Sequence, residues 1–149
     1  MKTKFRDLVI IISILVIGIT GFFMFRNAFS QAKYGSAIVY YDGQIVAIVD
    51  FNTKKVTPTQ QSDTTLYPQL DEENNTITVL GAPQDGERYE VVIKYNYENQ
   101  TMQVISETSP NKDCFKQGIS NSFPINCLPN RVEIIFKDAS GNTIHDGTI

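Results

Sequence analysis

An uncharged apolar run near the N-terminus constrains this chain more than any other feature. Residues 8–25 read LVIIISILVIGITGFFMF and hold no charged side chain over 18 positions. As a helix the run would be about 27 Å long, close to the hydrocarbon thickness of a bilayer. Its apolar residues cover every helical face, whereas a helix on a soluble core shows a single apolar stripe. We therefore expect a transmembrane helix over residues 8–25.

The charges ahead of this run predict its orientation. It is preceded by three basic residues and one acid, namely Lys2, Lys4, Arg6 and Asp7. An excess of Lys and Arg is typical of the cytoplasmic side of a membrane span. We expect residues 1–7 in the cytoplasm and the C-terminal part of the chain outside the cell membrane.

The segments after the run complete the expected organisation. Residues 26–35 are predicted to be a polar tether, and residues 36–149 an extracytoplasmic domain. A cleavable signal peptide is the alternative, because Ser30-Gln31-Ala32 places small residues where a signal peptidase could cut. The apolar run is longer than the usual signal core of about 7–15 residues, which favours an uncleaved, single-pass anchor.

The charge of the remaining chain limits its partners. Residues 27–149 carry 9 basic and 15 acidic side chains, a net charge of −6. A surface of this sign repels phosphate backbones, and few basic residues are present to release counterions from a nucleic acid. We expect no nucleic-acid partner. The expected partners are the membrane, through the anchor, and a membrane protein complex.

Residues 35–51, GSAIVYYDGQIVAIVDF, carry the strongest secondary-structure signal of the domain. Two β-branched runs, residues 37–41 and 44–49, flank Asp42-Gly43. Asp-Gly between apolar runs predicts a β-hairpin, because both central positions of its tight turn need positive φ.

The rest of the domain also shows strand patterning and no convincing amphipathic helix. Further strands are expected at residues 66–70, 76–80, 88–95, 101–106 and 131–137. Residues 52–73 are polar and are otherwise expected to form a mobile loop. About seven short strands at close spacing predict an all-β fold, a small sandwich or barrel.

The chain has two cysteines, Cys114 and Cys127, and one histidine, His145. A structural zinc site needs about four ligands, so no metal site is expected, and no cofactor motif occurs either. An even cysteine count in an exported domain favours one structural disulfide, with a redox-active pair and free thiols as alternatives. Ile119, Ile125 and the Leu128-Pro129 pair are expected to cover this bond with apolar surface.

A longer motif surrounds these cysteines. Residues 114–136 read CFKQGISNSFPINCLPNRVEIIF. The segment resembles the signature of the bacterial NusG domain II family of small membrane-anchored proteins, roughly Cys-x-x-x-Gly-Trp-Ile, a polar loop and Ile-x-Cys-Leu-Pro-Asn-x-Val-x-Ile. The residues that fall on this signature are Cys114, Gly118, Ile119, Ile125, Cys127, Leu128, Pro129, Asn130, Val132 and Ile134.

The resemblance implies a fold similar to the second domain of the NusG elongation factor, without a transcription role. It is good over residues 5–51 and 96–136 and poor over residues 52–95. The Trp of the signature is missing after Gly118, and Ser109-Pro110 stands where many relatives have Cys-Pro. An accessory role in a membrane redox or transport system is the functional alternative that the resemblance suggests.

No catalytic constellation is present in the sequence. His145 lies in a polar tail, and no nucleophile-elbow spacing occurs, so we expect no enzyme. The expected function is non-enzymatic binding or assembly, with a pilin-like subunit or a secreted ligand-binding module as further alternatives. The candidate binding surface is the segment around the cysteines, through Lys116, Gln117, Asn121, Phe123 and Arg131. The competing interpretation is that this segment only closes the β domain.

Overall fold

A computed structural model describes residues 11–22 and 34–143. The chain divides into two compact units, Met1–Ala32 and Lys33–Ile149. In the first unit residues 11–22 form a helix. Over the described ranges, no helix reaches the length and apolar character that crossing a membrane requires. The ends of the predicted span, the N-terminal residues 1–7 and most of the predicted tether fall outside those ranges.

The second unit is a pair of antiparallel five-stranded sheets. The first sheet has the order β3-β2-β1-β10-β9, with β1 Tyr34–Tyr41, β2 Gln44–Asp50, β3 Lys55–Pro58, β9 Ile125–Cys127 and β10 Val132–Asp138. The second sheet has the order β4-β5-β6-β7-β8, with β4 Gln69–Asp71, β5 Thr76–Leu80, β6 Glu90–Asn96, β7 Thr101–Glu107 and β8 Ile119–Ser120. Two short 3-10 turns, Phe115–Gln117 and Leu128–Asn130, flank the last two short strands.

The core lies between the two sheets. Alternate residues of the central strands point inward, so that Val39 and Ile134 of the first sheet share one apolar cluster with Val91 and Ile93 of the second. All four side chains have no more than 1% of their surface exposed. The expected all-β architecture is confirmed, and the arrangement is consistent with a β-sandwich.

The predicted hairpin is confirmed. Asp42 and Gly43 join β1 to β2 with φ angles of 48° and 78°, as a tight turn with two left-handed residues requires. Strand β1 begins at Tyr34, so the last residues of the predicted tether belong to the sheet. Tyr34 pairs with Asp138 at one end of the first sheet, and Tyr41 pairs with Val132 at the other.

Residues 52–73 differ from the predicted loop. They contain two edge strands, β3 next to β2 and β4 next to β5. The expected strand near residues 66–70 starts at Gln69 and extends to Asp71. Three of the ten strands, β3, β8 and β9, were not predicted, because strands of two to four residues leave no measurable alternation in a sequence.

A buried glutamine helps to hold the connection between β3 and β4. Gln61 is 1% exposed. Its Nε2 donates to the carbonyl of Leu80 at 2.9 Å, and its Oε1 accepts from the Leu80 N–H at 3.1 Å. The side-chain amide thus forms the two hydrogen bonds that a further residue of β4 would make with β5. It extends the second sheet by one position.

Four strands end on a residue whose side chain closes the next turn. These residues are Asp50 of β2, Asp71 of β4, Asn96 of β6 and Asp138 of β10, and each accepts backbone N–H groups two to four residues ahead. Such Asx turns are common where a chain must reverse. The donated hydrogen bonds lower the pKa of all three aspartates, with the Thr53 N–H as the largest cause at Asp50.

Candidate functional site

The segment after β7 is closed by a disulfide. Cys114 and Cys127 are bonded, with their Cα atoms 4.9 Å apart and 13 positions between them in sequence. Both cysteines are buried, at 0% and 1% exposure. The predicted disulfide is therefore confirmed. It joins the turn after β7 of one sheet to the edge strand β9 of the other.

Asn130 ties this bond to the rest of the domain. Its side chain is fully buried. The Nδ2 group approaches the sulfurs of Cys114 and Cys127 at 3.5 and 3.4 Å, and Oδ1 accepts from Gln84 Nε2 at 2.9 Å. Its backbone carbonyl accepts from the Ala82 N–H at 3.0 Å. One residue thus links the disulfide to the connection between β5 and β6.

Gly81 makes this close contact possible. A Cβ atom built on Gly81 would lie 2.5 Å from Oδ1 and 2.8 Å from Cβ of Asn130. Carbon atoms need about 3.5 Å or more for a favourable contact. Position 81 therefore has to be glycine for Asn130 to reach the disulfide.

A buried carboxylate lies on the other side of the disulfide. Glu107, 4% exposed, accepts from the Phe115 N–H at 2.9 Å and from the hydroxyl of Ser109. A carboxylate oxygen of Glu107 and the sulfurs of Cys114 and Cys127 lie within 4.8 Å of one another. Disulfide sulfurs have no thiolate to offer a metal, so in this oxidised form the group is not a cation site.

The predicted binding residues are spread over the disulfide segment, residues 114–131. Lys116 is exposed and pairs with Asp113 at 3.2 Å. Arg131 follows the second 3-10 turn in the left-handed region, φ 52°, and its guanidinium lies 3.1 Å from the carboxylate of Asp42. Asn121 and Phe123 are exposed in the loop between β8 and β9. The structure keeps these residues accessible, and their binding role stays a prediction.

Gln117, the fifth predicted residue, has a structural partner. Its Oε1 accepts from the Asn126 N–H at 2.9 Å, and its Nε2 donates to the Asn126 carbonyl at 2.5 Å. These are the backbone groups of β9 that do not face β10. The amide therefore occupies the open edge of β9, as Gln61 does at β5, and is less free for a ligand than predicted.

Several apolar residues of the segment face solvent. Ile119 is 66% exposed and Leu128 is 82% exposed, so the prediction that they cover the disulfide is wrong. Ile125 is 2% exposed and does fulfil that role. Phe115, at 48% exposure, was not predicted as part of the surface. It follows Cys114 directly. An apolar residue next to a disulfide cysteine was the sequence feature that could have identified it as part of this surface.

A shallow groove lies beside the disulfide. It encloses about 250 Å³. Its walls come from the β1–β2 turn, from the residues after Cys127 and from the outer side of β10, and include Tyr40, Asp42, Leu128, Arg131 and Glu133. The Asp42 N–H donates to the Arg131 carbonyl at 2.9 Å, which fixes the two turns against each other. The groove combines an aromatic, an aliphatic and charged groups of both signs.

A second polar cluster was not found from the sequence. The Tyr41 hydroxyl donates to Asp63 at 2.7 Å, and the Arg88 guanidinium lies 2.9 Å from the same carboxylate. Burial first, and then the hydrogen bond to Asp63, raise the pKa of Tyr41 to about 12. A phenol held neutral in this way is a poor base at physiological pH. The cluster fastens residues 59–66 to the sheets.

The family model described as NusG domain II matches residues 8–140. Among solved structures, the Lin0431 protein from Listeria innocua is similar at 12% sequence identity and a TM-score of 0.41, covering 69% of this chain and 94% of its own. No curated protein matches the chain.

Proposed function

Because this chain belongs to the NusG domain II family, we propose that it is a membrane-anchored protein whose exported β domain binds or assembles with a protein partner. The disulfide segment forms the binding surface. The domain performs no catalysis of its own.

One observation carries this proposal, namely where the apolar side chains are exposed. Within residues 34–143 the most exposed large hydrophobic side chains are Ile45, Leu66, Phe115, Ile119, Phe123 and Leu128. Four of these six lie in the disulfide segment. Aromatic and aliphatic side chains held in solvent are typical of the centres of protein interfaces. The concentration of these exposed side chains within the disulfide segment favours a binding role for that segment.

The covalent brace supports the same role. A segment tied at both ends by Cys114 and Cys127 has little conformational entropy left to lose when a partner binds. Lys116 and Arg131 provide charged groups around the apolar side chains, as at the polar rim of an interface.

Anchoring rests on the uncharged run and its basic flank. In this proposal residues 8–25 hold the protein in the cell membrane with the N-terminus in the cytoplasm. Protease added to intact cells should then digest the chain beyond residue 27 while its N-terminal fragment stays in the membrane fraction. Recovery of a soluble, shortened protein from the medium would instead establish the cleaved, secreted form.

Site-specific photocrosslinking in cells tests the binding surface. A photoreactive phenylalanine at Phe123 should give discrete crosslinked products with a membrane-associated partner. The matched control is the same probe at Leu66, which is 71% exposed but lies outside the segment. Phe123→Ser with Leu128→Ser should abolish co-purification of that partner, and Leu66→Ser should not. Equal crosslinking from positions 66 and 123 would contradict the proposal.

The net charge of −6 over residues 27–149 supports a partner other than nucleic acid. Of three basic residues that folding could gather, Arg88 and Arg131 are paired with the carboxylates of Asp63 and Asp42, and Lys94 lies on β6. Micromolar, salt-sensitive binding of the protein to duplex DNA at physiological salt would refute this part of the proposal.

A further inference from the structure

Strand β9 is an edge of the first sheet, and its outward backbone groups are bonded to a side chain. The N–H and carbonyl of Asn126 face away from β10, because backbone groups alternate in direction along a strand. The Gln117 amide bonds both of them. Its Oε1 accepts from the Asn126 N–H at 2.9 Å, and its Nε2 donates to the Asn126 carbonyl. A side-chain amide thus stands where a further strand would lie.

The Gln117 amide shows which chemistry this edge accepts. An amide that donates and accepts at once offers the same two groups that a residue of a β-strand offers to its neighbour. An extended peptide along β9 would make the same two hydrogen bonds to Asn126 through its own backbone. The edge is therefore already shaped for a strand.

The Gln117 amide can leave this edge at low cost. Gln117 and Asn126 are both exposed, so water can replace the hydrogen bonds that the amide gives up. The amide of Gln61 at β5 differs in this respect, because Gln61 is 1% exposed and its hydrogen bonds are partly buried. Gln61 is thus a fixed part of its sheet, whereas Gln117 is a removable cover.

Exposed apolar side chains lie at both ends of β9. Phe123, two positions before the strand, is 60% exposed, and Leu128, directly after it, is 82% exposed. The groove of about 250 Å³ borders the same strand, since Asn126 and Cys127 are among its walls. A strand added along β9 would find its backbone partner between two apolar contacts, with a groove beside it for one of its own side chains.

We propose that the partner of the disulfide segment docks as an extended peptide that adds a strand to β9 and displaces the Gln117 amide. This inference rests on the proposed function and names the chemistry of the partner. Backbone hydrogen bonds to Asn126 set the register of the added peptide, and its apolar side chains contact Phe123 and Leu128. A second copy fits less well, because two copies whose residues 27–149 each carry a net charge of −6 repel each other.

Photocrosslinking in cells from a photoreactive phenylalanine at Phe123 of the full-length chain tests the displacement. Gln117→Ala in this background should raise the yield of the crosslinked partner several-fold, because the edge no longer has to be cleared. The matched control is Gln69→Ala, at an exposed glutamine of the edge strand β4, which should leave the yield unchanged. An unchanged or lower yield with Gln117→Ala would overturn the displacement.

Asn126→Pro tests the backbone hydrogen bond itself. Proline removes the N–H that faces away from β10 and leaves the pairing of Ile125 and Cys127 with β10 in place, as is usual for proline in edge strands. The yield from Phe123 should fall several-fold below that of Asn126→Ala, which keeps the N–H. Retention of the disulfide checks that both variants fold. Equal yields from the two variants would overturn strand addition.

The crosslinked products also separate this inference from the proposed function. A partner whose yield responds to neither Gln117→Ala nor Asn126→Pro would overturn strand addition and leave the disulfide segment as the binding surface. Absence of any crosslinked partner from Phe123 would overturn both. A main product of twice the chain mass would show that a second copy occupies the edge, and it would overturn the proposed partner peptide.

Discussion

Asn130 shows how much of this fold depends on single side chains. Its amide group contacts both sulfurs of the disulfide, and its oxygen accepts from Gln84 in the other sheet's β5–β6 connection. Loss of these partners would lower the free energy of unfolding, since each unpaired buried polar group costs about 1–3 kcal/mol. The Asn of the Leu-Pro-Asn sequence is therefore a packing residue of the disulfide and is not available as a surface ligand.

Gly81→Ala tests this contact. The new methyl group would overlap Oδ1 and Cβ of Asn130, and we expect a loss of about 1–3 kcal/mol in the free energy of unfolding. Denaturant titration of the oxidised protein measures it. Ser106→Ala, at an exposed position of β7, serves as the control and should change stability little. Equal stability of the two variants would show that Asn130 moves away without cost.

Asp50 gives the turns an acid sensitivity whose sign can be worked out. Its pKa is lowered in the fold, chiefly by the Thr53 N–H. Such a carboxylate stabilises the fold above its ordinary pKa of about 3.9, and this stability is lost as the pH falls through the lowered pKa. Asp50→Asn keeps an acceptor oxygen but cannot titrate, and Asn96 shows that an amide suits this kind of turn.

We therefore expect the stability difference between the natural protein and Asp50→Asn to be constant above pH 5. Below about pH 4 the natural protein should lose stability relative to Asp50→Asn. The loss should be less than about 1 kcal/mol, because the turn faces solvent. Urea titrations at a series of pH values measure this difference. Parallel stability curves down to pH 2 would contradict the assignment.

At the scale of elements, turn chemistry was more predictable than short strands. Asp42-Gly43 fixes its hairpin through the φ angles that its residues tolerate, which is a local property of two positions. Strands β8 and β9 exist only because β7 and β10 present backbone groups to them. No property of two or three residues contains that information. The amide of Gln61 is harder still to predict, because it replaces backbone at a distance of 19 residues.

The two glutamine amides form a matched pair for mutation. Gln61→Ala would leave the part-buried N–H of Leu80 without its partner and the Leu80 carbonyl with Arg88 as its remaining donor, and we expect a loss of about 1–3 kcal/mol. Gln117→Ala would free the Asn126 groups to solvent, where water replaces the amide, and should cost less than about 1 kcal/mol. Thermal unfolding of both variants under one condition measures the difference. The reverse order of stabilities would contradict this account of Gln61.

At the scale of the whole molecule, the disulfide could be predicted from the sequence, but the exposed surface around it could not. The two cysteines, their pairing and the exposed Phe123 follow from composition and family resemblance. The exposure of Ile119 and Leu128 could not be predicted from either. Apolar residues in β-strands alternate between core and solvent, but a two-residue strand and a 3-10 turn have no such period. Their exposure depends on packing contacts made by distant strands.

Removal of the disulfide should weaken the whole domain. Cys114→Ser, Cys127→Ser and the double variant should behave alike, because each removes the same cross-link across 13 positions. The loop-entropy estimate is roughly 3 kcal/mol, a large part of the 5–15 kcal/mol that is typical of small domains. Melting temperatures of oxidised proteins measure the loss. Ready reduction by glutathione with an unchanged melting temperature would instead favour a redox-active pair.

The direction of β1 separates two functional ends of the domain. The chain enters the first sheet at Tyr34, while the disulfide closes the end where Tyr41 pairs with Val132 and Val132 with Cys127. Eight residues of strand extend about 24 Å between these ends. Within the described domain, the groove beside Cys127 therefore lies at the opposite end of the first sheet from the point where the chain enters it.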